Sequence, residues 1–182
     1  VNIWFSADWH LGHANIIKYC NRPFKSIQEH DNALIANINA VVDQEDTLYF
    51  LGDFCMSRDY KIVAEYRRRI NCAVIVMLLG NHDRMYAPEY RSVGFLSEGS
   101  PYCERTINNQ RITMCHYAMR VWNHLHHGSW HLYGHSHGGL PEDPVAKSMD
   151  VGIDCHPEYR PFSYSEIKMK LDKKPGYLVG SR

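Results

Sequence analysis

Three short apolar runs mark the first half of the chain: Ile3 to Ala7, Thr47 to Leu51 and Ala73 to Leu79. Each has the length and β-branched or aromatic content of a buried strand, and the third is continuous enough to be covered on both faces. Between them lie two amphipathic stretches. Ser26 and Glu29 stand in capping-box spacing, and Ile27, Leu34, Ile38, Val41 and Val42 continue an apolar face at helical period. Ile62, Val63, Tyr66 and Ile70 mark a second helix, and a short helical stretch ends near Pro23. The resulting β-α-β-α-β order predicts a mostly parallel sheet whose ligand sites lie beyond the carboxyl ends of its strands.

The second half reads differently. Glu104 to Ile107 and Arg111 to Cys115 flank Asn108-Asn109-Gln110 and predict a hairpin, hence a second sheet. Trp130 to Tyr133 and Met149 to Ile153 supply further strands. Ser163 and Glu166 repeat the capping-box spacing before a terminal helix. The tail from Lys173, with Pro175, Gly176 and Gly180, is expected to be loosely held or to end in a short strand.

Composition narrows the class. A length of 182 residues, 45% hydrophobic and 22% charged, suits one globular domain over 1–182. No apolar stretch approaches a membrane span, and Val1-Asn2-Ile3-Trp4-Phe5 lacks a basic leader, so no membrane role and a cytoplasmic location are expected. Lys plus Arg equals Asp plus Glu at 20 each, which leaves no global field for nucleic acid. Arg67-Arg68-Arg69 reads as a solvated helix face. Six dispersed cysteines without a Cys-x-x-Cys pair read as buried thiols. Histidine is in excess, with 12 copies.

Five of those histidines fall inside or beside short strings that follow the apolar runs. The strings are Asp8-Trp9-His10, Gly52-Asp53, Gly80-Asn81-His82-Asp83 and Gly134-His135-Ser136-His137, with His116 after the hairpin. Two cations about 3.5 to 4 Å apart need a bridging carboxylate to hold like charges so close, and Asp53 is placed to be it. Asp8 and His10 are two apart, so in an extended segment both would emerge on one side to grip one ion; His135 and His137 repeat the spacing. Asn81 adds an amide oxygen and His116 an imidazole. This mixed N/O set suits Mn, Fe, Zn or Ni better than Ca or Mg.

In this order the strings resemble the calcineurin-like metallophosphoesterase superfamily, in its compact cap-less branch of bacteria, archaea and phages. The resemblance spans Asp8 to His137. It implies an α/β fold, a four-layer α/β/β/α sandwich with two facing mixed sheets. It also implies one divalent ion, Mn first, on Asp8, His10, Asp53 and His137, and a second on Asp53, Asn81, His116 and His135. His82 would contact the scissile phosphate and protonate the leaving group, with Asp83 orienting its imidazole. A hydroxide bridging the ions would attack phosphorus in line.

His13 and Arg22 follow the first ligand loop and are candidates to contact substrate phosphate; His13 could equally cap a helix and Arg22 pair with an acid. Segment 120–131 reads as a pocket rim or as core tryptophans with solvated histidines. Leu79 and Phe54-Cys55-Met56 replace the arginines that protein phosphatases of the superfamily carry, which disfavours a protein substrate. A small nucleotide-like or aryl phosphoester, diester or monoester, is the expected partner. The alternatives are a nuclease, which would want a basic groove, and a non-catalytic scaffold, which would have lost ligands. The spacing says nothing of oligomeric state.

Overall fold

A computed structural model describes residues 1–83, 87–97 and 99–177. The elements run β1 (Ile3–Ser6), α1 (Ile16–Tyr19), α2 (Ile27–Asn39), β2 (Thr47–Phe50), α3 (Tyr60–Arg68), β3 (Val74–Met77), α4 (Ala87–Ser92) and β4 (Leu96–Ser97). They continue with β5 (Tyr102–Ile107), β6 (Gln110–Cys115), β7 (Trp130–Tyr133), β8 (Ser148–Asp150), β9 (Phe162–Ser163) and α5 (Tyr164–Leu171). Two mixed sheets result. The first has order β4-β3-β2-β1-β9 and the second β5-β6-β7-β8. In the first, β1 to β4 are parallel and only β9 is antiparallel; in the second, β5 and β6 form the hairpin and β6, β7 and β8 are parallel.

Strand alternation sorts the core into two layers. Trp4, Leu48, Phe50, Ile75 and Met77 pack against Leu34, Ile38, Val63 and Ile70, so α2 and α3 cover the outer face of the first sheet. Phe5, Leu51 and Leu78 point the other way, into a layer shared with Ile112, Met114, Trp130 and Leu132 of the second sheet. The α/β fold with two facing mixed sheets is therefore as the motif resemblance implies. Ile167 and Leu171 of α5 enter that same inner layer, and Trp122 and Leu125 with Ala146 form a smaller cluster.

Local chemistry explains the ends. Ser26 Oγ accepts from Glu29 N at 3.2 Å, while Glu29 Oε2 accepts from Lys25 N, not from the cap residue. At α5 both halves of the capping box form. The hairpin turn is tighter than its sequence reading: Ile107 pairs with Gln110, leaving Asn108 and Asn109 at φ 49° and 63° as a two-residue turn. The expected strand from Met149 to Ile153 stops early. Val151 N still bonds Tyr133 O, but Ile153 N bonds Ala7 O, so the chain leaves the second sheet and joins the first. That crossing stitches the sheets at the end where the ligand loops lie. The short α4, β4 and β9 carry too little periodicity to be read from sequence. No strand forms over 173–177, and the last five residues lie outside the described ones.

Candidate active site

Every motif string follows a strand: Asp8 leaves β1, Asp53 leaves β2, Asn81 follows β3, His116 leaves β6, and His135 and His137 follow β7. The two sheets deliver these loops to one cavity of about 570 Å³, lined by His10, His13, Asp53, Asn81, His82 and His135 among others. The loops interlock through backbone bonds. Asp8 N donates to Gly52 O at 2.9 Å, His10 N to Asp53 O at 3.0 Å, and Gly134 N to His116 O at 3.0 Å.

The pairs Asp8/His10 and His135/His137 converge by a different route from the extended segment expected. All four residues have left-handed backbones, at φ 61°, 51°, 67° and 48°, and so does Asp53 at 61°. Non-glycine residues occupy this region at a cost and cluster at functional sites. Trp9, between the first pair, is fully buried and donates its indole N–H to Ser6 Oγ at 2.8 Å. With that ring anchored in the core, His10 lines the cavity and Asp8, fully buried, accepts from His135 N at 2.8 Å.

Four groups of three donors emerge among the described residues: His10, Asp53 and His82 form one, Cys20, His137 and Asp154 another, and the remaining two fall within the expected ligand sets. Ligand atoms of Asp8, His10 and His137 lie within 4.8 Å of one another, as do those of Asp53, His116 and His135. Asp53 joins them, since its Oδ2 is 3.5 Å from His10 Nε2 and 3.6 Å from His116 Nε2. Its Oδ1 accepts from His82 N at 2.8 Å.

Several buried atoms fit a cation. Asp8 Oδ1 and both ring nitrogens of His10 have no hydrogen-bond partner. His116 Nδ1 donates to Leu51 O at 2.7 Å, so Nε2 carries the lone pair and faces Asn81 Oδ1, a second acceptor, at 3.0 Å. Cations satisfy such facing acceptors. Burial holds the Asp8 carboxyl well above the usual range, and burial drives the His10 imidazole well below it and that of His116 down to about 4. Both imidazoles are thus neutral, the form that binds metal.

His82 and His13 also face the cavity. Their rings stand 6.0 Å apart, and each has a buried Nδ1 without a partner. Asp83 does not orient the His82 imidazole, contrary to the motif expectation. Its carboxylate accepts from Asp53 N at 2.6 Å, Gly80 N at 2.7 Å and Phe54 N at 2.9 Å. It ties the loop after β3 to the loop after β2 and fixes the backbone of Asp53.

Arg22 is likewise corrected. It is 3% exposed, and all five of its N–H groups are used internally. Nε and Nη2 grip Asp154 at 2.7 and 2.6 Å, Nη2 also donates to Asp8 O, and Nη1 serves Trp9 O and His30 Nε2. No donor remains for a substrate phosphate.

Two residues escaped the sequence reading. Asp154 Oδ2 accepts from His137 Nδ1 at 2.7 Å, which leaves Nε2 for an ion. Although burial opposes it, the bonds from His137 and Arg22 hold the Asp154 carboxyl below its usual range. Asp150 accepts from Ser136 Oγ at 2.6 Å and Gly138 N at 3.0 Å, shaping the loop that carries His135 and His137. Neither lies in a motif string; the only sequence signal was one carboxylate within the Met149 to Ile153 run and another directly after it.

Strand-end donors beside an open cavity on a two-sheet frame are the arrangement a metal-dependent phosphoester hydrolase requires. A family model described as calcineurin-like phosphoesterase matches residues 1–154, and the chain belongs to that family. An uncharacterized protein of Methanocaldococcus jannaschii is 30% identical over 176 residues, covering 94% of this chain and 92% of its own. A solved protein of unknown function from Aquifex aeolicus shares the fold at TM-score 0.70 and 22% identity, over 93% of this chain and 98% of its own.

Proposed function

We propose that the protein uses two divalent ions, Mn first and Fe, Zn or Ni as alternatives, to hydrolyse small nucleotide-like or aryl phosphoesters. The supporting observation is Asp53 Oδ2, which has His10 Nε2 at 3.5 Å on one side and His116 Nε2 at 3.6 Å on the other. Asp8, His10, Asp53 and His137 would hold one ion, and Asp53, Asn81, His116 and His135 the other. Bound ions supply Lewis-acid charge neutralisation and an acidified water. The chain supplies the rest. His82 and His13, which line the cavity and each carry an Nδ1 without a partner, bind the non-bridging oxygens of the phosphate, and His82 delivers a proton to the departing oxygen. Asp83 acts by fixing the Asp53 backbone and is not an acid or base.

The open cavity and neutral overall charge favour small esters over long polyanions. No helix among the described residues is long and apolar enough to cross a membrane, and all six cysteines are free thiols, which suits a cytoplasmic location. Purified protein with Mn²⁺ is expected to cleave bis-p-nitrophenyl phosphate or p-nitrophenyl phosphate and to stop with chelator. Asp53→Asn loses ions and turnover together, whereas His82→Ala keeps both ions and loses about 10²-fold or more in kcat. Full activity of His82→Ala on a poor leaving group refutes the acid role, and rapid degradation of DNA or RNA promotes a nuclease.

A further inference from the structure

A chain of buried polar groups leads away from the site into α2, and the proposed function makes no use of it. Asp154, which bonds His137, is clamped by Arg22; Arg22 Nη1 meets His30 Nε2 at 2.7 Å, and His30 Nδ1 meets Asp31 Oδ1 at 2.7 Å. Asp31 also accepts from Tyr66 OH at 2.7 Å and from Gly12 N at 3.1 and 3.2 Å. His30 is fully buried and Asp31 nearly so. Arg22 can only donate, so His30 Nε2 must accept and the ring is held as the Nδ1–H tautomer by the Asp31 carboxylate.

We propose that His30 and Asp31 are positioning residues for one metal ion of the pair, acting through Arg22 and Asp154. The relay touches both halves of that ion's cage. Arg22 holds the carbonyls of Asp8 and Trp9, Asp31 holds the amide of Gly12 two residues beyond His10, and Asp154 orients His137. No hydrogen bond of the relay reaches Asn81, His116 or His135 among the described residues. Removing the acceptor at His30 frees one buried Arg22 N–H; the guanidinium then turns to satisfy it and loosens its paired grip on Asp154. Outer partners of metal-bound histidines set affinity by about 10- to 100-fold, and a residue one step further out is expected at about tenfold.

This inference rests on the two-ion reading, and the experiment separates the two. Mn²⁺ binding to the full chain is measured by calorimetry for the wild type and for His135→Ala and His137→Ala, each with and without His30→Leu. Two ions are expected in the wild type. His30→Leu should weaken the ion remaining in His135→Ala by about tenfold and leave that in His137→Ala within about twofold. His30→Gln, which restores an acceptor toward Arg22, should recover the affinity. If His30→Leu does not fold, Asp31→Asn in the same backgrounds carries the same expectation. A wild type that binds no ion overturns the two-ion reading and the relay together. Two ions in the wild type, with equal loss or no loss in both backgrounds, overturn the relay alone.

Discussion

Gly80 is where the loop after β3 crosses the Asp53 carboxylate, and Gly80→Ala is the sharpest perturbation of the site that leaves every proposed ligand in place. A Cβ built there lies 2.2 Å from Asp53 Oδ1, 2.6 Å from Asp53 N and 2.8 Å from Asp53 Cγ, where ordinary contact begins at 3.4 Å. The carboxylate must retreat by roughly 1 Å, because well-packed atoms do not interpenetrate. It has nowhere to go without loss: Oδ1 holds His82 N at 2.8 Å, and Asp53 N is itself held by Asp83 at 2.6 Å. Gly80 lies outside the left-handed region, so backbone strain does not contribute. A 1 Å misplacement costs about 10²-fold in rate, close to 2.7 kcal/mol of transition-state stabilisation. Overpacking removes a further ~1–3 kcal/mol of fold stability.

The assay is steady-state hydrolysis of bis-p-nitrophenyl phosphate with Mn²⁺, alongside a thermal melt. Gly128→Ala is the control, since Gly128 has φ +77° with nothing within 4 Å of an added Cβ. It should lose about 1 kcal/mol of stability to strain and keep its kcat. Folded Gly80→Ala with a wild-type rate would refute the crowding argument and the bridging position of Asp53.

Two further outcomes follow from the buried polar groups. Arg22→Lys removes the paired grip on Asp154 and leaves buried acceptors unmet, so unfolding in urea should show a loss of about 2–4 kcal/mol, while KM at saturating metal stays unchanged; a large rise in KM would restore a substrate contact. His131 Nδ1 donates to Thr113 O and Nε2 accepts from Met119 N, and burial pulls its pKa down to about 4. The unfolded chain protonates near pH 6.5 and the folded one does not until about pH 4, so this stability is complete above pH 6.5 and declines as pH falls through that window. The loss approaches roughly 2–3 kcal/mol at pH 4, and His131→Gln should flatten it in urea unfolding at pH 7, 5.5 and 4.5.

The strings that each end an apolar run were legible, and the fold does bring them to one end of the two sheets. That Asp8, His10, Asp53, Asn81, His116, His135 and His137 would gather followed from the rule that parallel strands present their loops at one end, and their division between two ions from the motif resemblance. Arg22 and Asp83 were misread for a common reason: a charged side chain beside a ligand is equally able to face substrate or brace the backbone. The choice depends on partners such as Asp154, 132 residues away from Arg22, that no local pattern reveals.

By itself the sequence determined the division into a crossover half and a hairpin half and the helix caps at Ser26 and Ser163, since periodicity and side-chain type are local properties, while its motif strings pointed by resemblance to phosphoester chemistry. Only the tertiary structure decided that Asp8 and His10 take left-handed backbones on either side of a buried Trp9, that Asp83 secures Asp53, and that Arg22, His30 and Asp31 form a buried polar chain into α2. Those outcomes come from packing and hydrogen-bond satisfaction between segments far apart in the chain, where every buried donor must find whichever acceptor the fold brings within reach.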